Sequence, residues 1–210
     1  MRREDWDRRY AEVESLWSAK PNRVLVGEVG SLPPGRALDL ACGEGRNAIW
    51  LAERGWNVIA VDFSPVAIEK ARASAERAGV QVDFVCADLL EYEPEEPAAH
   101  DLVVVLFLQL PANERRLVLG RAAEALAPGG TLLLVGHDLT NLTEGVGGPS
   151  DPGVLYTPDD IVSDLAGLEI EKAERILRDV DGADRPAIDA LVRMRKTGIR
   201  RADSGRTEDP

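Results

Sequence analysis

Cysteine and histidine are scarce in this chain, two of each among 210 residues, and the scarcity closes off several kinds of chemistry. Neither Cys42 nor Cys86 has another cysteine or a histidine beside it, so no paired spacing of a metal-ligand set exists. Two small buried thiols of a reduced compartment are expected instead. No apolar run approaches the roughly 20 residues that a bilayer span needs, and the opening MRREDWDRRYAEVE is charged with no apolar signal region. A cytoplasmic protein without a membrane partner follows. Positive charge is also short, 25 Lys and Arg against 37 Asp and Glu, leaving a net charge of -12. That balance repels phosphate backbones, so nucleic acid is not an expected partner.

What is present suits one α/β domain: 44% hydrophobic and 30% charged residues over a length that buries a sizeable core. The stretch from Arg36 to Asp62 carries most of the signal. Ala37 to Ala41 is a short apolar run broken by Asp39, after which Gly43 and Gly45 allow a tight bend and a close backbone approach to a ligand. Asn47 to Arg54 has a helical apolar face ended by Gly55, and Asn57 to Val61 is a second strand. Asp62 then stands about 20 residues beyond the glycines, where such folds place an acid on ribose hydroxyls. Taken singly, a glycine pair is a plain turn and a strand-end aspartate a helix cap. Together, inside one β-α-β unit, they predict a nucleotide-cofactor cradle.

The rest of the chain extends the same alternation. Glu4 to Trp17 predicts an amphipathic helix with Trp6, Tyr10, Val13 and Trp17 on one stripe, and Arg23 to Gly30 a second, short one. Ser64 caps a predicted helix from Pro65 to about Arg77, closed by Gly79. Gln81 to Cys86 alternates as a third strand with Asp88 beyond it. Glu91 to His100 predicts a surface loop with His100 exposed, and Asp101 to Leu108 a strand buried on both faces. A helix over Pro111 to Ala127 should stop at Pro128-Gly129-Gly130 before a fifth strand, Thr131 to Val135. Gly136 to Tyr156 is too long for a mere connector and is expected to be a substrate lid. Thr157 caps a helix from Pro158 to Leu165, and Leu168 to Ile176 with Ala187 to Arg195 can pair as an antiparallel hairpin. The sum is a doubly wound, mostly parallel seven-stranded sheet with helices on both faces, an antiparallel C-terminal hairpin, and ligand sites at the strands' carboxyl ends.

With these motifs in place the chain resembles a class I S-adenosylmethionine-dependent methyltransferase from about Trp6 to Met194. The resemblance rests on Asp39, Ala41, Gly43 and Gly45, where alanine replaces the first of three glycines. It rests also on Asp62-Phe63-Ser64-Pro65, Asp88-Leu89 and Leu126-Ala127-Pro128-Gly129-Gly130. The opening Trp6-Asp7-Arg8-Arg9-Tyr10, with Trp17 and Pro21-Asn22, is similar to small bacterial tellurite-resistance and thiopurine-type methyltransferases. This likeness implies a Rossmann-like fold, a helical lid over residues 1–30, a methyltransferase domain over 31–197 and a polar tail over 198–210. It implies S-adenosyl-L-methionine as cofactor, S-adenosyl-L-homocysteine as product, a small-molecule acceptor and a monomer or homodimer.

By the same resemblance the methionine part lies over Ala41, Gly43 and Gly45, with Asp39 near its amino group directly or through water. Asp62 takes both ribose hydroxyls, Phe63 packs on adenine, Asp88 takes the adenine amino group, the Leu89 amide meets a ring nitrogen, and Leu106 lies at the methionine end. Trp6, Tyr10 and Trp17 either cover the cofactor or simply pack in a core. His137 and Asp138 follow the fifth strand, where an acceptor should sit, and are the candidates for proton removal. His137 equally reads as a satisfied structural residue. Asn141, Glu144, Gly145, Gly147 and Gly148 are candidates to line or hinge the acceptor pocket. Two alternatives remain beside the methyltransferase. A nicotinamide-dependent Rossmann oxidoreductase wants G-x-G-x-x-G, and Arg46, Asn47 and Ala48 follow the second glycine here. A non-catalytic cofactor-binding protein would keep the same cradle.

Overall fold

The computed structural model describes residues 2–16 and 20–198. Among these residues seven strands form one sheet in the order β3-β2-β1-β4-β5-β7-β6. These are β1 (Arg36–Leu40), β2 (Asn57–Asp62), β3 (Asp83–Cys86), β4 (His100–Leu106), β5 (Leu126–His137), β6 (Glu169–Arg178) and β7 (Ala187–Arg195). The first five are parallel, and β7 enters antiparallel between β5 and β6. The order reverses beside β1, so the crevice at the carboxyl ends of β1 and β4 is where such a sheet receives a ligand.

Among the described residues seven α-helices accompany the sheet: α1 (Arg3–Ala11), α2 (Arg23–Val29), α3 (Arg46–Ala52), α4 (Pro65–Ala78), α5 (Ala112–Ala125), a single turn α6 (Asn141–Glu144) and α7 (Pro158–Asp164). Because strand side chains alternate, each central strand feeds two cores. Ala37, Leu102, Val104, Leu133 and Val135 pack with Leu25 and Val29 of α2 and Leu51 of α3. Their neighbours Leu38, Leu40, Val103, Val105, Leu132 and Leu134 pack with Val118, Leu119 and Ala122 of α5. Local chemistry fixes several boundaries. The Ser64 hydroxyl accepts from the Ala67 amide at 3.1 Å ahead of Pro65, Gly79 ends α4 in the left-handed conformation, and Thr157 with Asp160 forms a capping box on α7.

Several expectations are corrected. The first helix stops at Ala11, leaving Val13 exposed and off the aromatic stripe; Trp17 lies outside the described residues, as does the tail beyond Gly198. The Pro128-Gly129-Gly130 stop falls inside β5, because Gly129 donates to the Lys196 carbonyl at 2.8 Å and Lys196 to that of Gly130 at 2.9 Å. His100 is buried as the first residue of β4, its Nδ1 3.3 Å from the Ala125 carbonyl, and burial holds its imidazole below the usual histidine range. Cys86 is exposed at the end of a short strand, whereas Cys42 is buried. Residues 136–156 are no plain loop: α6 and a 3-10 turn (Pro152–Val154) divide them, and a bridge joins Asp138 to Tyr156. Among the described residues no helix is long and apolar enough to cross a membrane.

Candidate functional site

The turn after β1 is built on positive φ. Ala41 has φ 64°, Gly43 55° and Gly45 77°, so the alanine occupies a conformation that favours glycine and accepts the strain of a methyl there. The Cys42 amide donates to the Val61 carbonyl at 3.0 Å, stitching the turn to β2. Asp62 completes it: one carboxyl oxygen accepts the Gly43 amide at 2.8 Å and the other the Ser64 amide at 2.9 Å. Burial nevertheless leaves the Asp62 carboxyl above its ordinary pKa. Gly45 serves packing rather than approach, since a Cβ there would lie 2.9 Å from Ala71 Cβ and from the Phe84 ring.

Asp39 lies on β1 beneath this turn. It is almost fully buried and neither carboxyl oxygen has a hydrogen-bond partner. Burial first, and then the neighbouring Asp62, push its pKa up to about 8, with Arg46 pulling the other way. An orphaned acid under a backbone turn is what a bound cation would satisfy, and such perturbed groups gather at functional sites.

Above the turn runs a continuous cleft of about 2310 Å³, more than the roughly 300–1,000 Å³ of a site for one small ligand. Trp6, Tyr10, Ala41, Gly43, Asp62, Phe63, Asp88, Leu89, Leu106 and His137 all line it. Asp39 and Gly45 lie outside its lining. The cleft floor follows the carboxyl ends of β1, β2, β3, β4 and β5. Asp88 is exposed, its side chain accepting the Leu90 amide at 2.9 Å.

One wall is the amino-terminal segment. Trp6 and Tyr10 stack with centroids 5.7 Å apart. Asp7 accepts a hydrogen bond from the Ser64 hydroxyl, and Lys70 of α4 donates to the backbone carbonyls of Tyr10, Val13 and Glu14. Glu44, in the glycine turn itself, accepts the Leu16 amide at 3.0 Å. Segment and turn are thereby tied together.

At the opposite end the site holds residues that the spacing of the chain did not single out. Phe107, just past β4, has φ 59° and donates its amide to the Val135 carbonyl at 2.7 Å. Its ring lies 5.0 Å from the His137 imidazole and 5.4 Å from the Arg178 guanidinium. Asp189 of β7 is the register partner of His137. Its Oδ1 sits 3.3 Å from His137 Nδ1, and its Oδ2 accepts from Arg178 Nε at 2.6 Å. Burial works to raise the Asp189 carboxyl, yet His137 and Arg178 together hold it below the ordinary carboxylate range. A lone acid inside the apolar run Ala187-Ile188-Asp189-Ala190-Leu191-Val192 was the available signal.

Asp138 is a different matter. Successive strand residues face opposite ways, and Asp138 points out of the cleft lining, fully buried. One of its oxygens accepts from the Thr140 amide at 2.8 Å, the Thr140 hydroxyl at 2.7 Å and Arg175 Nε at 3.0 Å. It anchors the loop after β5, so its pairing with His137 as a proton acceptor is corrected. Gly147 and Gly148 line the cleft, while Glu144 and Gly145 do not. Asn141, likewise outside the lining, is a brace, taking the Ile188 amide at 2.7 Å and donating to the Gly147 carbonyl at 2.8 Å.

Residues 37–130 match the family described as "Methyltransferase domain". The 2-heptyl-1-hydroxyquinolin-4(1H)-one methyltransferase of Mycobacteroides abscessus is 30% identical over 158 residues, covering 70% of this chain and 69% of that protein. This chain belongs to the class I S-adenosylmethionine-dependent methyltransferases. A ubiquinone biosynthesis O-methyltransferase of Idiomarina loihiensis is 31% identical over 117 residues, 54% of this chain and 48% of that protein. The chain thus spans about half the length of several of its curated relatives. In fold it resembles the N-methyltransferase NodS of Bradyrhizobium japonicum WM9, solved with S-adenosyl-L-homocysteine. Its TM-score is 0.69 at 20% identity, over 93% of this chain and 98% of that one. Membership makes S-adenosyl-L-methionine the cofactor and sets the nicotinamide reading aside. The orphaned Asp39 carboxyl below a turn of positive φ suits the ammonium group of a methyltransferase's amino-acid cofactor end.

Proposed function

We propose that this protein transfers the methyl group of S-adenosyl-L-methionine, by in-line displacement, to an oxygen of a small ring-bearing hydroxyl compound held at the His137 end of the cleft. The cofactor, when bound, supplies a sulfonium methyl that is already activated for attack. Ala41 and Gly43 offer backbone to its amino-acid part, with the Asp39 carboxyl beneath. Asp62 holds the ribose; its oxygens already carry one amide bond each, and a carboxylate oxygen accepts more than one. Phe63, Asp88 and Leu89 form the adenine end, and Leu106 the methionine end. Trp6 and Tyr10 act as the lid, pinned by Lys70 and Glu44, and the loop around Gly147 and Gly148 closes over the acceptor.

The observation that carries the oxygen assignment is the placement of His137 on the cleft wall, beside Phe107 and next to the carboxyl end of β4. A hydroxyl is a poor nucleophile until its proton leaves, and an imidazole near neutral pH is suited to take it. Positioning of the acceptor supplies the rest, several kcal/mol on general grounds. Phe107, Leu108, Val146 and Leu177 give the cleft apolar walls fit for a ring. The names of two relatives support an oxygen acceptor, one an O-methyltransferase and one a hydroxyquinolinone methyltransferase.

Incubation with S-adenosyl-L-methionine and a panel of phenols, quinols and hydroxyquinolinones, followed by mass spectrometry, tests this reading. Products gaining one methyl are expected, and His137→Ala should transfer about 10²-fold more slowly with unchanged affinity for S-adenosyl-L-homocysteine. Full activity in that variant removes the base. Tight binding without turnover on any acceptor points to a non-catalytic cofactor-binding protein.

A further inference from the structure

We propose that Asp189 is a positioning residue that fixes the tautomer of His137, keeping the proton on Nδ1 and the lone pair of Nε2 on the cleft side. This rests on the reading of His137 as the proton acceptor. Every element packed on the imidazole contributes. Asp189 comes from β7 at 3.3 Å, Phe107 lies against the ring from the end of β4, and a Cβ on Gly148 would meet ring atoms at 2.9 Å. Nδ1 is the buried nitrogen, while the ring as a whole lines the cleft. The 3.3 Å approach is poorly aligned, so Nδ1 lies beside the carboxylate without a formed hydrogen bond. Such contacts commonly tighten once substrate is in place.

Arg178 decides why a carboxylate is needed. It grips Asp189 through Nε on Oδ2 at 2.6 Å and through Nη2 on Oδ1 at 3.3 Å, and its other face lies over Phe107. The carboxyl group therefore cannot turn, and Oδ1 stays toward the imidazole. Farther titratable groups are Arg46, which senses Arg178, and the neutral Tyr156 phenol, buried with its hydroxyl unpartnered. As the acceptor oxygen bonds to the methyl carbon and the carbon-sulfur bond breaks, the hydroxyl proton passes to Nε2. The imidazolium so formed lies against a carboxylate already oriented to meet it. An acid behind a histidine serves other enzymes in this way, and exchanging it for an amide puts the proton on the wrong nitrogen.

The test reads the tautomer directly. The chain contains only two histidines, His100 and His137, so a nitrogen-15 spectrum of the imidazoles, assigned with His137→Gln, is simple. At a pH where the ring is neutral, the wild-type protein should carry its proton on Nδ1, and an Nε2 proton there overturns the inference whatever the variants do. In Asp189→Asn the amide oxygen should go to Arg178 and the amide nitrogen to Nδ1, moving the proton to Nε2. Methyl transfer should then fall about 10²-fold or more, with the His-dependent rise lost from its pH profile and S-adenosyl-L-homocysteine affinity retained. If His137→Ala is impaired while Asp189→Asn keeps both tautomer and rate, the positioning role fails and the base survives. If His137→Ala keeps full activity, the base itself has failed.

Discussion

Asp62 reaches back from the end of β2 to take the amide of Gly43, in the turn after β1, at 2.8 Å. The acid assigned to the cofactor's sugar is also what holds the cofactor turn shut. Asp62→Ala should therefore act twice. Calorimetry should show affinity for S-adenosyl-L-homocysteine reduced at least about 30-fold, near 2 kcal/mol. Thermal denaturation should show a loss of about 1–3 kcal/mol from two buried amides without an acceptor. Unchanged affinity would contradict the cradle.

Asp39 imposes a pH dependence whose sign can be worked out. Its folded pKa of about 8 lies above the ordinary 3.8, so the folded state holds a proton that the unfolded chain has released. Stability is greatest below about pH 4 for this group and is lost as pH rises toward 8. Asp39→Asn should flatten that fall and raise the melting temperature relative to wild type at pH 8. Asp62, raised in the same direction, leaves part of the slope. The same variant should bind S-adenosyl-L-homocysteine more weakly; tighter binding would refute the pairing with a cation.

Gly148 has φ 77° and no room for a side chain above the His137 ring. Gly148→Ala is expected to cost about 1–2 kcal/mol in backbone strain and to displace the imidazole. Methyl transfer should drop while cofactor affinity stays, measured by single-turnover assay and calorimetry.

Lys70 gathers three carbonyls of the amino-terminal segment. Lys70→Met should lower stability by about 1–3 kcal/mol in thermal denaturation, through the lost charge-assisted hydrogen bonds. It should speed proteolysis before Pro21 and increase the dissociation rate of S-adenosyl-L-homocysteine. A tightly held segment in that variant would exclude the lid.

Local chain chemistry made much of this protein legible in its sequence. The Ser64 cap, the Pro65 start, the left-handed Gly79 and the Thr157 cap depend on neighbours within a few positions. So do the alternating aliphatic runs of β4 and β5, and they place Asp39, Asp62, Asp88 and Leu106 at strand ends. What required the fold was every relation between residues distant in the chain. Asp189 meets His137 only because β7 inserts beside β5 in one register, and a period of two sends Asp138 away from the same site. His100 is buried because β4 begins one residue earlier than its apolar run, against the start of β5, and Lys70 finds its carbonyls only where α1 lies across α4. Periodicity and turn residues determine elements because their causes are short-ranged; the proton-handling end of the cleft is decided by strand pairing, which no local pattern encodes.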